Sequence, residues 1–170
     1  MIQCYKCFQK GMLNRYGQPF EVGVEYHTDG IIKFGNNGNG FHACKRLEDT
    51  LRYFDAMEGE VDIAQIRGFG NFDLYEDDYY GYYDMYSFEN IIIDKVLNRQ
   101  EIMDYAYHLP EMRAERFVSL FRLTEEEKEK MIDLFKQSFS VLKSIAYYQD
   151  GDKDAFLQND ENFVLKYVKK

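Results

Sequence analysis

The hydrophobic pattern of the chain changes its period near residue 98. Before that point, segments such as 20–26 and 60–67 alternate apolar and polar side chains, as half-buried strands do. After it, Asn98 with Glu101 and Thr124 with Glu127 have the spacing of N-terminal capping pairs. Strands first and helices afterwards is the α+β arrangement. We predict a single domain over residues 1–170, with an antiparallel β-rich part (1–97) and a helical part (98–170) packed on it.

Two helical segments shape this prediction. Residues 40–44 (Gly-Phe-His-Ala-Cys) have the pattern of a short strand, and the apolar residues that follow over 47–54 are spaced by four and three. This spacing puts them on one helical face, so we predict a helix inserted at 45–54. In the second part, an apolar stripe continues to Ile145. We therefore predict that the longest helix runs from Thr124 to Ile145.

Composition excludes several functional classes. The chain of 170 residues is 45% hydrophobic and 17% aromatic, which is typical of a packed globular protein. Its formal charge of −9 and the lack of a basic stripe argue against nucleic-acid binding. No apolar run approaches the ~18 residues of a membrane span, and the first residues do not resemble a signal peptide. Three cysteines suit reduced thiols. We expect a cytoplasmic protein without membrane segments.

The window 71–90 concentrates acidic residues and tyrosines. It has six acids and no basic residue. Tyrosines among acids offer large, rigid contact areas with a hydroxyl group, as interaction surfaces do. The alternative is a solvated insertion whose tyrosines partly pack on the domain. We predict a loop that faces a protein partner or a second copy of the chain, through Tyr75, Asp77, Asp78, Tyr79, Tyr80, Tyr82, Tyr83 and Tyr86.

Two sets of residues have metal-ligand character. Residues 150–161 place Asp150, Asp152, Asp154 and Glu161 at positions 1, 3, 5 and 12 of an EF-hand-like loop, which makes a calcium site an alternative. Ala155 stands where such loops need glycine.

The second set consists of three thiols and one imidazole. Cys4, Cys7, His42 and Cys44 are ligand types that zinc accepts. A regular strand would turn Cys4 and Cys7 to opposite sides. We therefore predict that His42 and Cys44 are structural, partly buried beside the N-terminal strand, that Cys4 and Cys7 are small buried thiols at a strand end, and that the chain needs no cofactor.

Residues 5 to about 103 resemble a family of bacterial and phage-encoded proteins of unknown function. The similar segments are 5–8, 20–26, 40–44 and the late strand that ends at Leu97. Cys7 departs from the glycine usual in that family, and the helical tail after about residue 110 also departs from it. The resemblance implies a shared β-rich unit and a mobile-element setting, and it implies no activity.

A second resemblance concerns residues 40–54. A strand of this type that runs into a helix with a late tyrosine is similar to the strand–helix unit of ADP-ribosyltransferases. The resemblance implies nucleotide contacts from Tyr26, His27 and Thr28 and a catalytic carboxylate at Glu89, which would stabilise an oxocarbenium-like centre. We favour a non-enzymatic interaction or accessory protein with no catalytic residues. A small nucleotide-dependent transferase is the alternative.

Overall fold

A computed structural model describes residues 1–35, 38–77, 82–159 and 163, with only the backbone described at Tyr82 and Tyr83. The chain divides into two compact units. Unit 1 comprises Met1–Asp55 and Gly59–Leu97, and unit 2 comprises Ala56–Glu58 and Asn98–Lys170. Strands lie in unit 1 and helices mostly in unit 2, so the predicted α+β class is confirmed. That the two parts form a single domain stays a prediction.

The described residues of unit 1 form five strands and one short helix. The strands are β1 (Ile2–Gln9), β2 (Glu25–His27), β3 (Phe41–Cys44), β4 (Val61–Asp77) and β5 (Tyr82–Val96), and the helix is α1 (Leu47–Thr50). Every pairing between these strands is antiparallel. β1 pairs with β4, β4 with β5, β5 with β3, and β3 with β1, so the pairings close into a ring. β2 pairs with β5 outside this ring.

The ring is weakest between β1 and β3. β1 pairs with β4 along its whole length, whereas its register with β3 consists of Tyr5 opposite Cys44. On either side of this pair, β1 and β3 are not joined by a ladder of backbone hydrogen bonds. An opening in the sheet at this seam is the feature of the fold that positions the candidate site.

The core of unit 1 lies on one face of β1. Cys4 and Phe8 are buried in a cluster with Ala64 and Ile66 of β4. Because side chains alternate along a strand, Lys6 lies on the same face, between two core residues. Its partner across the ladder is the small residue Ala64, which leaves room for the lysine side chain.

Two local predictions for unit 1 need correction. The inserted helix is limited to Leu47–Thr50, shorter than the predicted 45–54. The described part of the acidic window is strand rather than loop, since Asp73 pairs with Ser87 and Leu74 with Tyr86 in a long β4–β5 ribbon. Acids and tyrosines suit this ribbon because an antiparallel pair can leave one face in water.

Unit 2 is helical. Its helices are α2 (Arg99–Tyr107), α3 (Glu111–Leu120), α4 (Glu125–Leu134) and α5 (Phe139–Ser144), followed by a π turn (Ile145–Gln149) and a 3-10 turn (Ala155–Leu157). Both predicted capping boxes are present, at Asn98 and Thr124. The single helix predicted from Thr124 to Ile145 is wrong. The chain leaves the helix after Leu134, and the Ser138 side chain accepts from the Val141 N–H to begin α5.

The three residues of the first half that belong to unit 2 are tied to it by one arginine. The Arg122 N–H donates to the Ala56 carbonyl (3.0 Å), and its Nε donates to the Met57 carbonyl (3.1 Å). Its Nη1 also donates to the Gln149 carbonyl (3.1 Å). Among the residues that the structure describes, no helix has the length and apolar character that crossing a bilayer requires.

Candidate functional site

A cleft of about 720 Å³ lies in unit 1 at the seam between β1 and β3. The rest of its wall comes from Thr28, from the loops around 14–20 and 34–40, from Thr50 at the end of α1, and from residues 52–54. The cleft is present because β1 and β3 are joined only near Tyr5 and Cys44. It is the candidate site of this protein.

Positive charge distinguishes this cleft from the rest of the chain. Lys6, Arg15 and Arg52 line it, and its described lining contains no aspartate or glutamate. The whole chain has 30 acidic and 21 basic residues. A concentration of one charge sign in a cleft raises the local concentration of ligands of the opposite sign. The cleft is therefore suited to an anion, although the protein as a whole repels anions.

Lys6 is the most unusual of these cations. Its Nζ donates to the backbone carbonyl of His42 across the seam (2.7 Å) and lies 5.5 Å from the centre of the Phe8 ring. It makes no ion pair with any residue that the structure describes. Burial, with Arg15 adding repulsion, lowers the pKa of Lys6 to about 8. The amine is thus partly neutral near physiological pH.

His42 presents a buried nitrogen to the same region. Within the described part of the chain its Nε2 is buried and has no hydrogen-bond partner. The imidazole ring lies 4.6 Å from the Phe34 ring, and burial lowers the pKa of His42 to about 4. A buried polar atom without a partner costs about 1–3 kcal/mol, and a ligand can supply the missing partner.

Aromatic rings form much of the remaining wall. Phe34 stacks on Tyr75 at 5.1 Å with an interplanar angle of 12°, and Phe20 meets Phe41 edge-on at 6.1 Å. Aromatic faces of this kind accept planar rings by stacking and guanidinium groups by cation–π contact. Charge and ring surface therefore occur together in one cleft.

The loop that carries Arg15 is organised by Asn14. The Asn14 Oδ1 accepts hydrogen bonds from the Tyr16 N–H (2.9 Å) and the Gln18 N–H (3.0 Å). Arg15 is exposed and makes no ion pair with a described residue. A guanidinium group held at a cleft mouth without a carboxylate partner is free to bind an anion in a bidentate manner.

The three thiols are buried in the sheet. Cys4, Cys7 and Cys44 are free and at most 4% exposed, and burial raises the pKa of each thiol to about 12. Protonated, buried thiols are unreactive. In the ranges that the structure describes, no group of three or more histidine, cysteine, aspartate or glutamate residues is arranged to hold a metal ion. That these residues are purely structural stays a prediction.

The residues implied by the transferase resemblance are not gathered in the cleft. His27 is exposed, and its two ring nitrogens lie 2.7 Å from Asn90 Oδ1 and 2.9 Å from Asp29 Oδ1. The Glu89 carboxylate accepts from the Asn71 N–H (2.8 Å). Of the residues under this resemblance, Thr28 and His42 line the cleft, whereas His27 and Glu89 do not.

The described members of the predicted interaction surface pack on unit 1 itself. The Tyr75 hydroxyl donates to Asp77 Oδ2 (2.9 Å), and the Tyr86 ring stacks on Phe88 at 5.1 Å. Of the other members, Asp78, Tyr79 and Tyr80 lie outside the described residues, and the side chains of Tyr82 and Tyr83 are likewise outside the description.

The predicted calcium residues are engaged in other ways. Asp150 Oδ1 accepts from Lys128 Nζ (2.6 Å), and Asp152 Oδ1 accepts from the Asp154 N–H (3.1 Å). Asp154 lies just before the 3-10 turn that begins at Ala155, and Glu161 lies outside the described residues. The calcium site stays a prediction.

Unit 1 is thus an antiparallel sheet with a short helix, and its cleft is lined by cationic and aromatic side chains. The sequence profile of the family described as a domain of unknown function, DUF7666, matches residues 2–87, and the chain belongs to this family. No curated protein and no solved structure matches the chain. The matched region includes every described residue of the cleft, which lie between Tyr5 and Phe54.

Sequence reasoning did not single out Lys6, Arg15 or Arg52. Arg15 and Arg52 carry no local signal, because only the fold brings them to one cleft. Lys6 carries a signal in the alternation of β1, where it interrupts a face made of Cys4 and Phe8.

Proposed function

We propose that unit 1 is a binding module for an anionic ligand that carries a planar ring, the chemical class to which nucleotides belong. The observation that supports this proposal is the cleft lined by Lys6, Arg15 and Arg52 without a described acidic residue. The family resemblance suggests that the chain is a non-enzymatic accessory protein of a bacterial or phage mobile element. A ligand-binding module is compatible with that role.

The cations have distinct parts in this proposal. Arg15, exposed and without an ion pair to a described residue, binds the anionic group at the mouth of the cleft. Lys6, which lies deeper and contacts the His42 carbonyl, adds positive potential at the floor. Hydrogen bonds to charged groups contribute about 1.5–3 kcal/mol, which corresponds to an affinity change of about ten- to a hundredfold.

The aromatic rings of the cleft and His42 contact the planar ring of the ligand in this proposal. A base or similar ring can lie against the aromatic side chains that line the cleft, where stacking contributes about 1–3 kcal/mol per base. The buried His42 Nε2 then gains a hydrogen-bond partner from a polar group on that ring.

Binding is a better match than transfer chemistry for the described residues. A glycosyl or ADP-ribosyl transfer needs a carboxylate at the developing oxocarbenium centre. Glu89, the residue implied for that part, accepts from the Asn71 N–H and is not in the cleft. A small nucleotide-dependent transferase remains the alternative. Incubating the chain with NAD and analysing the products tests it.

The test is calorimetric titration of the full chain with ADP, NAD, adenosine and inorganic phosphate. We expect ADP or NAD to bind, and adenosine to bind at least about tenfold more weakly because it lacks the anionic group. Arg15→Ala should weaken ADP binding by about ten- to a hundredfold. Lys10→Ala is the matched control, since Lys10 pairs with Asp62 outside the cleft. Equal ADP affinity in both variants, or no binding of any anion, would contradict the proposal.

A second proposed function concerns the acidic ribbon, residues 71–77 and 84–90. Phe72 is 52% exposed and Leu74 is 43% exposed on alternate positions of β4, which puts two large apolar side chains on one open face. The acids Glu76 and Asp84 lie on the same ribbon. An apolar stripe among acids fits a basic protein surface or a second copy of the chain.

This second proposal is tested without disturbing the fold. Deleting the ribbon would remove Tyr75, which stacks on Phe34, so point substitutions on the exposed face are preferable. We expect the double variant Phe72→Asp, Leu74→Asp to abolish self-association in analytical ultracentrifugation, or salt-sensitive binding to a lysine- and arginine-rich peptide. Ile31→Asp, at a 76% exposed position, is the control. If the wild-type protein is monomeric and does not bind the peptide, this second function is wrong.

A further inference from the structure

We propose that Lys6 is a nucleophilic amine that forms an imine with an aldehyde or ketone carrying an anionic group. This inference rests on the proposed function, because the same cleft and the same Arg15 would hold the anionic group. It goes beyond binding, since it assigns a covalent step to a particular atom, Lys6 Nζ.

The placement of Lys6 supports this step. Its side chain leaves β1 on the core face between Cys4 and Phe8, opposite the small Ala64, and reaches the cleft. Its Nζ is fixed by one hydrogen bond to the His42 carbonyl (2.7 Å). An amine held at one point by a backbone oxygen keeps its other positions for a ligand, and a fixed nucleophile attacks faster than a mobile surface lysine.

The groups that face Lys6 keep its amine partly neutral. Arg15 on the loop after β1 repels the ammonium form, and the imidazole of His42, whose carbonyl accepts from Lys6, is itself neutral because its pKa is about 4. As thiolates, Cys44 and Cys7 would raise the pKa of Lys6, but burial keeps both protonated below about pH 12. No described carboxylate forms an ion pair with it. Desolvation in an apolar site and a neighbouring cation are the two conditions that activate lysine nucleophiles.

The reaction needs no component beyond the carbonyl compound. The lone pair of neutral Lys6 Nζ attacks the carbonyl carbon, one of the two Nζ protons passes to the carbonyl oxygen, and a neutral carbinolamine forms. The nitrogen loses its remaining proton and the carbinolamine carbon loses hydroxide, so that one water leaves and a C=N bond replaces the C=O bond. The anionic group stays on Arg15 throughout, outside the bonds that change.

The experiment uses the full chain with pyridoxal 5′-phosphate, an aldehyde that carries a ring and a phosphate. Sodium borohydride reduces any imine to a stable secondary amine, and peptide mass mapping locates the label. We expect Lys6 to be labelled at least about tenfold more than exposed lysines such as Lys10 and Lys33. The labelling rate should rise with pH around a midpoint near 8. Pyridoxal without the phosphate should label Lys6 at least about tenfold less.

Two variants and one binding measurement complete the test. Lys6→Arg should remove the label from position 6, and Lys10→Arg should leave the labelling of Lys6 unchanged. Label spread over exposed lysines, with Lys6 no more reactive than they are, would overturn the inference. If Lys6 is then unlabelled while wild-type protein still binds ADP in an Arg15-dependent manner, the imine is wrong and the proposed function stands. If Lys6 is unlabelled and the wild-type protein also fails to bind ADP, the cleft does not bind anions, and both the imine and the proposed function are wrong.

Discussion

Replacing His42 by phenylalanine should change how the stability of unit 1 depends on pH. The His42 Nε2 is buried without a described partner, and burial lowers its pKa from 6.5 to about 4. Between these two pH values the unfolded chain binds a proton that the folded chain does not. Lowering the pH through this interval therefore favours unfolding.

The size of the effect follows from the same values. Each pH unit is equivalent to about 1.4 kcal/mol, so the interval from 6.5 to about 4 corresponds to about 3.5 kcal/mol. The ring is partly exposed and its charge is therefore partly screened, which reduces the expected loss to about 1–2 kcal/mol. At pH 7 the phenyl ring keeps the contact with Phe34 at 4.6 Å and removes the unpaired nitrogen. The variant should then be as stable as the wild type or more stable by about 1 kcal/mol.

Urea unfolding followed by circular dichroism at pH 7, 5.5 and 4.5 measures this difference. Other groups titrate in both proteins, so the difference between wild type and His42→Phe isolates His42. His27→Asn is a control for which the pH dependence of the free energy of unfolding should have the opposite sign. Hydrogen bonds with Asn90 and Asp29 raise the pKa of His27, so its stabilisation is full at low pH and is lost as the pH rises through the folded value. If wild type and His42→Phe lose equal stability between pH 7 and 4.5, the reasoning is refuted.

Three further predictions concern packing, capping and metal binding. A Cβ at Gly68 would overlap the Phe88 ring, so Gly68→Ala should cost about 1–3 kcal/mol in thermal unfolding, and Phe88→Leu in the same chain should restore part of it. Asn98→Ala removes the capping box of α2 and should cost about 1 kcal/mol, while Gln100→Ala on the exposed face should cost less; equal costs would contradict the assignment. Calcium should raise the melting temperature if residues 150–161 bind it, and Asp152→Asn should cancel the rise; no shift at millimolar calcium would contradict that prediction.

The fold class was predictable from the sequence because local signals agree with it. Asn98 and Thr124 begin helices as their capping boxes predict, since a cap is a contact between residues three positions apart. The break after Leu134 was not predictable from the apolar stripe alone. Ser138, which lies within that stripe, instead caps α5, and a serine at such a position competes with the helix by bonding to a nearby backbone N–H.

The ribbon illustrates a second limit of sequence reasoning. The polar and acidic residues over 71–77 predict a loop, because strands are usually poor in aspartate and glutamate. Cross-strand pairing decides the outcome here, as in the pair of Leu74 with Tyr86. A strand partner that lies beyond a turn is not visible in the composition of one segment.

The cleft is the feature of the structure that local sequence patterns predict least well, because strands distant in sequence form it together. Arg15 and His42 are far apart in sequence, and both line the cleft that lies where β1 and β3 are no longer paired. Lys6 is the exception. A lysine on a strand face between two buried residues must either have a buried partner or face a polar opening, since an isolated buried ammonium group is costly. Lys6 has no described ion pair and is opposite the small Ala64, so the opening is the physical solution. A lysine that interrupts the buried face of a strand is therefore the sequence feature that points to a cleft in this chain.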